Sequence, residues 1–351
     1  MNTHYHILGL MSGTSMDGLD LAYCTFSFEG KWQFVLLAGE TIPYTESMRL
    51  QLSKAAGLSG EELMKFHADF GRFIGSASKD FIKKNNISPE YISSHGHTIF
   101  HQPVNGLTFQ LGNGATIAAE SGVSVISDFR TTDVAYGGQG APLVPIGDRL
   151  LFGDYDYCLN LGGIANVSFE ENGERIAFDV CACNLVLNWL AEKQGKLYDK
   201  DGEIAMAGIV QTDLLDKLNR LSYYSKKHPK SLGREDIERD ILPILKKSGY
   251  STEDLSATFC RHIGMQIGAV TSVSEKKMLL SGGGVFHPVL AAEIKKASKA
   301  KLNIPTYNII NFKEAIIFAF LGVLRLRGET NALSSVTGAS KDNVGGSIFL
   351  A

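Results

Sequence analysis

The sequence has little with which to cross-link, stiffen or polarise itself. Its five cysteines (Cys24, Cys158, Cys181, Cys183, Cys260) are odd in number and scattered over 351 residues, which argues against a disulfide framework and for a reducing compartment. Cys181-x-Cys183 has no second pair to complete a zinc site, so buried thiols are the expectation. Nine prolines and no G-x-y period exclude collagen-like and linker-like chains. Neither sign of charge dominates: 34 Lys+Arg against 37 Asp+Glu leave a net −3, without the basic excess of a dedicated nucleic-acid binder. The longest apolar runs, such as residues 315–324, are about half of what a bilayer requires. Residues 1–5 show no cationic stretch leading into a long apolar one, so no secretory signal, no membrane partner and a cytoplasmic location are expected. What is left, 44% hydrophobic and 20% charged, fits a globular chain with one large domain or two lobes.

Glycine is the outlier. There are 37, where average usage would give roughly 25, so tight backbone loops are expected. Alternating apolar patterns predict strands at 5–10, 19–27, 32–41, 91–94 and 123–127, with helices at about 46–56 and 60–84. A small-residue turn, Met11-Ser-Gly-Thr-Ser-Met-Asp17-Gly18, joins the first two strands. The order then recurs, displaced by roughly 150 residues. It runs through a strand at 157–161, the turn Gly162-Gly163-Ile-Ala-Asn166, strands at 167–170 and 175–178, and helices at 184–193 and near 252–273. A strand at 277–280, the turn Ser281-Gly-Gly-Gly284, a helix from Pro288 and a strand–helix pair over 307–327 follow. Each half reads as an α/β unit. The division expected is 1–130, which 336–351 could complete, and 131–335.

Strand–turn–strand corners rich in Gly, Ser and Thr present several backbone N–H groups to one point and make anion cradles. A carboxylate in such a corner would repel a phosphate unless a divalent cation lay between them. Asp17 therefore suggests Mg²⁺ held mainly through water. An ordinary hairpin turn capped by Ser and Asp is the plainer alternative for either corner alone; two corners plus a third glycine cluster favour a nucleotide. Neither G-x-x-x-x-G-K-[ST] nor a strand-linked G-x-G-x-x-G occurs, which counts against P-loop and Rossmann sites. For Ser281-Gly-Gly-Gly284, a flat seat for a base or ribose and a close helix–strand contact are equally open.

Gly9-Leu-Met-Ser-Gly-Thr-Ser-Met-Asp-Gly-Leu-Asp20 resembles the N-terminal signature of the anhydro-N-acetylmuramic acid kinases. Ser94-His-Gly-His-Thr98, Asp128-Phe-Arg130, Gly137-Gly-Gln-Gly-Ala-Pro-Leu-Val-Pro145, Asn160-Leu-Gly-Gly-Ile-Ala-Asn166, Tyr198-Asp-Lys-Asp-Gly202, Gly282-Gly-Gly284 and Val336-Thr-Gly-Ala339 resemble further family blocks in order. The resemblance implies two RNase H-like lobes of the hexokinase/Hsp70/actin type with a central cleft for ATP and sugar. It implies ATP and Mg²⁺ as cofactors, an amino sugar as substrate, and a homodimer as the family expectation. The substrate's O6 is tied to C1 in a 1,6-anhydro bridge. The family reaction therefore has water attack C1 with a carboxylate as base, and the freed O6 take the γ-phosphoryl group of ATP.

By resemblance, Asp179 is the base; from the residues alone a cap or turn role would be preferred. Gly9, Ser12, Gly13, Thr14, Ser15, Asp17, Gly18, Asn160, Gly162, Gly163, Asn166, Gly282, Gly283 and Gly284 are the expected nucleotide contacts, with Asp17 also towards metal. His95, His97, Asp128, Arg130 and Glu314 are the expected sugar contacts. Arg130 could pair with Asp128 or hold the lactyl carboxylate. A metal site at His95, His97 and His101 lacks a clear third ligand. Three positions depart from the family pattern: Val180-Cys-Ala-Cys183 replaces a glycine loop, His97 replaces Gln, and Lys313 precedes Glu314. The departures keep two alternatives open: a kinase for another amino sugar or anhydrosugar, and an ATP- and sugar-binding sensor.

Overall fold

The protein is described by a computed structural model over residues 3–13 and 15–351. Its contacts gather into two units, Met1–Leu151 with Phe312–Ala351, and Phe152–Asn311. These borders differ from those expected at 130/131 and 335/336. The GGQGAPLVP block and the helix Val144–Leu151 lie in the N-terminal unit, and so do the residues of the long helix Tyr307–Arg327 from Phe312 onward.

In the N-terminal unit the strands are β1 (His4–Ser12), β2 (Gly18–Phe28), β3 (Trp32–Pro43), β4 (Tyr91–Gln102), β5 (Leu107–Leu111) and β6 (Val125–Ser127). The order runs β3-β2-β1-β4-β6, with Ser347–Phe349 on the outer side of β6 and β5 paired to β4. β1, β2 and β3 are antiparallel, whereas β4 lies parallel to β1 and β6 parallel to β4. The other unit holds β7 (Tyr157–Leu161), β8 (Ile164–Glu171), β9 (Glu174–Ala182), β10 (Lys277–Ser281) and β11 (Lys301–Asn303). Its order, β9-β8-β7-β10-β11, repeats the first, again with three antiparallel strands followed by two parallel ones. Both units thus carry the mixed sheet of an RNase H-like lobe, and the duplication read from sequence is a duplication of topology.

Local signals explain most elements. The helix Gly60–Asn85 starts at a Ser59/Glu62 capping box and stops at Asn86 in the left-handed region (φ 51°), as such sequences dictate. Phe70, Ile74 and Phe81 on its inner face enter the first core. Ser251 caps Thr252–Val270, whose Phe259, Ile263 and Ile267 enter the second.

Two expectations need correction. No strand opens the 307–327 segment: Tyr307–Arg327 is one helix, and the strand of that pair is Lys301–Asn303. Pro305 sits just ahead of the helix, where its missing N–H does no harm, and residues 315–321 are each at most 1% exposed. The apolar run is therefore a helix buried on all sides of its axis, and no helix of the described residues is long and apolar enough to cross a membrane. The 91–94 strand continues to Gln102 and pairs back with β5. Its polar His95-Gly96-His97 letters conceal the extension because Gly96, at φ +74°, bends the strand without ending it.

Candidate active site

The N-terminal unit gathers its polar residues at one end of β1 and β4. Ser12 ends β1 and is 2% exposed. Its Oγ accepts a hydrogen bond from the Tyr44 hydroxyl (2.7 Å) and lies 2.9 Å from His97 Nδ1. A serine oxygen can accept twice, so with Tyr44 as one donor Ser12 can either take a proton from Nδ1–H or give its own to a bare Nδ1, according to which ring nitrogen carries the N–H. Burial lowers the His97 pKa, so the ring is neutral at physiological pH. Ser12, expected at the nucleotide, and His97, expected at the sugar, are thus direct partners. Tyr44 is a third member of the group, and no motif in the chain singles it out.

The glycines of this turn differ in what surrounds them. A side chain on Gly9 would collide with the Ala315 carbonyl oxygen and with Ala319 (2.8 Å) on the long helix, and one on Gly18 would strike the Ile42 backbone. Protein packing alone demands both. A methyl on Gly13 would find Ser15 Oγ as its nearest neighbour, at 3.6 Å, which leaves the Gly13 backbone open to a ligand. Ser15 and Asp17 are exposed. Thr14 lies outside the described residues. Asp17 holds the turn through its carbonyl, which accepts Tyr44 N–H at 3.1 Å. Asp20, partly buried on β2, accepts from Thr41 Oγ1 at 2.5 Å; burial raises its pKa, and the Asp17 charge adds to the rise.

His95 and Arg130 form a second group. His95 Nδ1–H donates to Gly96 O (2.8 Å), so Nε2 is the acceptor for Arg130 Nε (3.0 Å) and Nη2 (2.8 Å). Burial and the Arg130 charge push the His95 pKa well down. Burial also lowers Arg130, to about 10, against the pull of Glu314 and Asp133. Arg130 Nη1 donates to Gly140 O (2.6 Å), and the fully buried Asp133 accepts Gly140 N–H (2.7 Å), Thr337 Oγ1 (2.8 Å) and Asn343 Nδ2 (2.8 Å). The GGQG loop and the Val336–Ala339 block therefore share one carboxylate. Asp128 is exposed, sits at φ 61° and accepts from Thr131 (2.6 Å); its partner is the following turn, whereas Arg130 takes His95. His101 lies near the outer end of β4 against Thr108. Among the described residues no three His, Cys, Asp or Glu side chains group as a metal cluster. Glu314, partly buried on the long helix, has its pKa raised by burial and partly restored by Lys313.

In the C-terminal unit the register of the sheet aligns residues from separate blocks. Ser281 pairs with Asn160, Asn160 with Asn166, and Asn166 with Asp179, and residues opposite one another on adjacent strands share a face of the sheet. Asp179 lies inside β9, which runs to Ala182, so it is neither a strand end nor a helix cap. Its Oδ2 accepts Leu232 N–H (2.9 Å), its carbonyl accepts the Tyr223 hydroxyl (2.5 Å), and its N–H reaches Lys230 O (3.3 Å). Burial raises its pKa and the Leu232 amide pulls it back.

Residues 180–183 complete β9 and lead into the helix Asn184–Glu192 with at most 2% exposure. None of the four has positive φ, so Val, Cys and Ala are suited to the path taken. The N–H groups of Cys183 and Asn184 donate to the carbonyls of Gly163 (2.9 Å) and Gly162 (3.1 Å), and Asn184 Nδ2 to Leu161 O (2.9 Å). That helix start is consumed by the Gly162-Gly163 hairpin. Gly282, at φ 82°, and Gly284 back onto Asn160 and Leu161, while nothing lies within 4 Å of a side-chain position on Gly283.

A sequence model described as anhydro-N-acetylmuramic acid kinase matches residues 5–351. This chain belongs to that family. It is 35% identical over 376 residues to the anhydro-N-acetylmuramic acid kinase of Shewanella sediminis, covering 99% of both chains. To that of Pasteurella multocida it is 34% identical over 371 residues (99% of this chain, 97% of the relative), and to that of Paramagnetospirillum magneticum 33% over 355 (97% and 98%).

Within the family, the departures noted above acquire structural meaning. The 180–183 segment is a buried strand end. A neutral His97 offers Ser12 either an acceptor or a donor nitrogen at 2.9 Å, and a glutamine amide carries both kinds of group. His97→Gln is therefore expected to keep the Ser12 bond and to leave kcat within a few-fold, whereas His97→Leu, which strands the Ser12 hydroxyl in a buried site, should cost much more. Steady-state kinetics of the two variants checks this. Tyr223, Leu232 and Asp133 carry no sequence signal: two of them act through a hydroxyl or a backbone N–H brought in from distant chain positions, and Asp133 is an ordinary helix-start acid by letter.

Proposed function

We propose that the protein is an ATP-dependent kinase that opens the 1,6-anhydro ring of anhydro-N-acetylmuramic acid with water and phosphorylates O6. The products are N-acetylmuramic acid 6-phosphate and ADP, a reaction suited to recycling of cell-wall sugar in the cytoplasm. The observation that supports it best is Asp179: a carboxylate inside a strand, fixed by the Leu232 N–H, with burial raising its proton affinity. Such a group can take a proton from water in the transition state. The water oxygen bonds to C1 as the C1–O6 bond breaks, the proton passes to Asp179, and O6 is released as the nucleophile towards the γ-phosphorus of ATP.

The open backbone at Gly13 and Gly283 suits close approach of phosphate and nucleoside oxygens. Asp17, exposed and single, suits a Mg²⁺ held mainly through water, a mode that needs no cluster of protein ligands. Such an ion would neutralise phosphate charge during transfer. Arg130, steadied by His95 and Gly140, can offer charge-assisted bonds to the lactyl carboxylate, and Glu314 can accept from a sugar hydroxyl. A homodimer accompanies this reading through the family alone.

A second reading, a kinase for another amino sugar or anhydrosugar, is favoured by the buried 180–183 segment. One incubation with ATP, Mg²⁺, the anhydro sugar and oxygen-18 water separates them. ADP with a 6-phosphosugar labelled at C1 supports the first reading. No ADP with this sugar but turnover of another supports the second, and tight binding of both ligands without ADP would identify a sensor.

A further inference from the structure

His262 is wholly buried in the helix Thr252–Val270 and has no part in the site described above. Its Nδ1 lies 2.7 Å from Asn219 Oδ1, which also accepts from Gln266 Nε2 (2.9 Å). The amide oxygen can only accept, so Nδ1 carries the ring proton and Nε2 accepts the Tyr224 hydroxyl at 2.9 Å. A buried, mutually hydrogen-bonded set fixes one local arrangement, and what it fixes here is the short turn Ser222–Ser225. Tyr223, beside Tyr224 in that turn, places its hydroxyl on the Asp179 carbonyl (2.5 Å).

Asp179 stands where a strand is least constrained. β9 is an edge of its sheet, so no strand of the described residues covers its outer side. It also carries a bulge: Asn166 faces Asp179 and Ala165 faces Cys181, which makes Val180 the extra residue. A bulge interrupts the ladder and re-aims the residues beside it, whereas a general base has to be held to within about half an ångström. Residues 223–232 supply the missing restraint by meeting residue 179 three times. Tyr223 bonds its carbonyl, the Lys230 carbonyl accepts its N–H (3.3 Å), and the Leu232 N–H donates to its carboxylate (2.9 Å). Between those points the Lys230 ammonium sits over the Tyr223 ring, 4.7 Å from its centroid, and over that of Phe178 at 5.5 Å, contacts that hold the segment against β9.

We propose that Tyr223 is a positioning residue for Asp179, and that Tyr224 and His262 hold Tyr223 in place. The Tyr223 hydroxyl orients the peptide unit between Asp179 and Val180 at the bulge, and with it the direction in which the carboxylate leaves the strand. This rests on the reading of Asp179 as the base.

The test measures single-turnover rates, calorimetric affinities for ATP and the anhydro sugar, and thermal melts of the full-length protein. Tyr223→Phe removes one hydroxyl and keeps the ring under Lys230, so it should melt within a few degrees of wild type and bind both ligands equally well. Its rate should fall about tenfold, less than a full ångström of misplacement costs. Tyr224→Phe should slow the reaction by a smaller factor. The double variant Tyr223→Phe/Tyr224→Phe should be no slower than Tyr223→Phe, because Tyr224 acts only through its neighbour. In an Asp179→Asn background Tyr223→Phe should cost nothing further. A wild-type rate in Tyr223→Phe overturns the proposal. So does a rate loss that persists undiminished in the Asp179→Asn background, or one matched by an equal loss of sugar affinity. If Tyr223→Phe does not fold, Tyr224→Phe in the two backgrounds carries the same comparison. Near-normal turnover in Asp179→Asn itself defeats the reading of the base, whatever Tyr223→Phe does.

Discussion

Asp179→Asn is expected to lower kcat by about 10²–10⁴-fold, the usual worth of a positioned general base, with ATP binding unchanged. The substitution is close to isosteric. The amide oxygen can still accept Leu232 N–H, and the Tyr223 and Lys230 bonds use backbone atoms of residue 179, so the strand should keep its place. What is lost is proton affinity. The same environment predicts the pH dependence of the wild type. Burial raises the Asp179 pKa, and the base works only when deprotonated. Activity should therefore decline with acidification at a higher pH than an exposed aspartate would give. Single-turnover kinetics and calorimetric ATP binding check both points, and a variant with near-normal turnover would remove Asp179 from the role.

Gly9→Ala and Gly13→Ala are expected to fail in opposite ways although both residues sit in one signature. The added methyl at residue 9 would press on the Ala315 carbonyl and on Ala319, between a central strand and a helix buried on all sides. Overpacking of this kind costs about 1–3 kcal/mol and sometimes more, enough to lower the melting temperature by several degrees. At residue 13 the methyl meets nothing closer than 3.6 Å. Stability should hold there while ATP affinity falls, since the methyl occupies the space a phosphate would approach. Thermal melts and nucleotide titrations of the pair distinguish packing glycine from binding glycine. Equal melting temperatures for both variants would refute the assignment.

The duplication is legible in the chain because strand periodicity and small-residue corners are local properties, and they recur in both halves. The family is legible too, since its blocks are contiguous runs of letters. The long helix Tyr307–Arg327 is only half legible for a matching reason: an apolar run buried on all sides has no amphipathic period to distinguish helix from strand. β4 reads as ending at Ser94 because polar letters inside a strand look like a loop until a partner strand such as β5 is seen to cover them.

By itself, then, the chain determined two α/β units and a glycine surplus concentrated in small-residue corners, and its likeness to the family, not the residues alone, pointed to Asp179 as the base. Tertiary structure decided which glycines face protein and which face open space, since only packing reveals that Gly9 touches a helix some three hundred residues away. It also decided the partners of the polar residues: Ser12 with His97 and Tyr44, Arg130 with His95, Asp179 with Leu232. Those contacts join chain positions far apart in sequence, and a hydrogen bond depends on geometry that spacing along the chain does not contain.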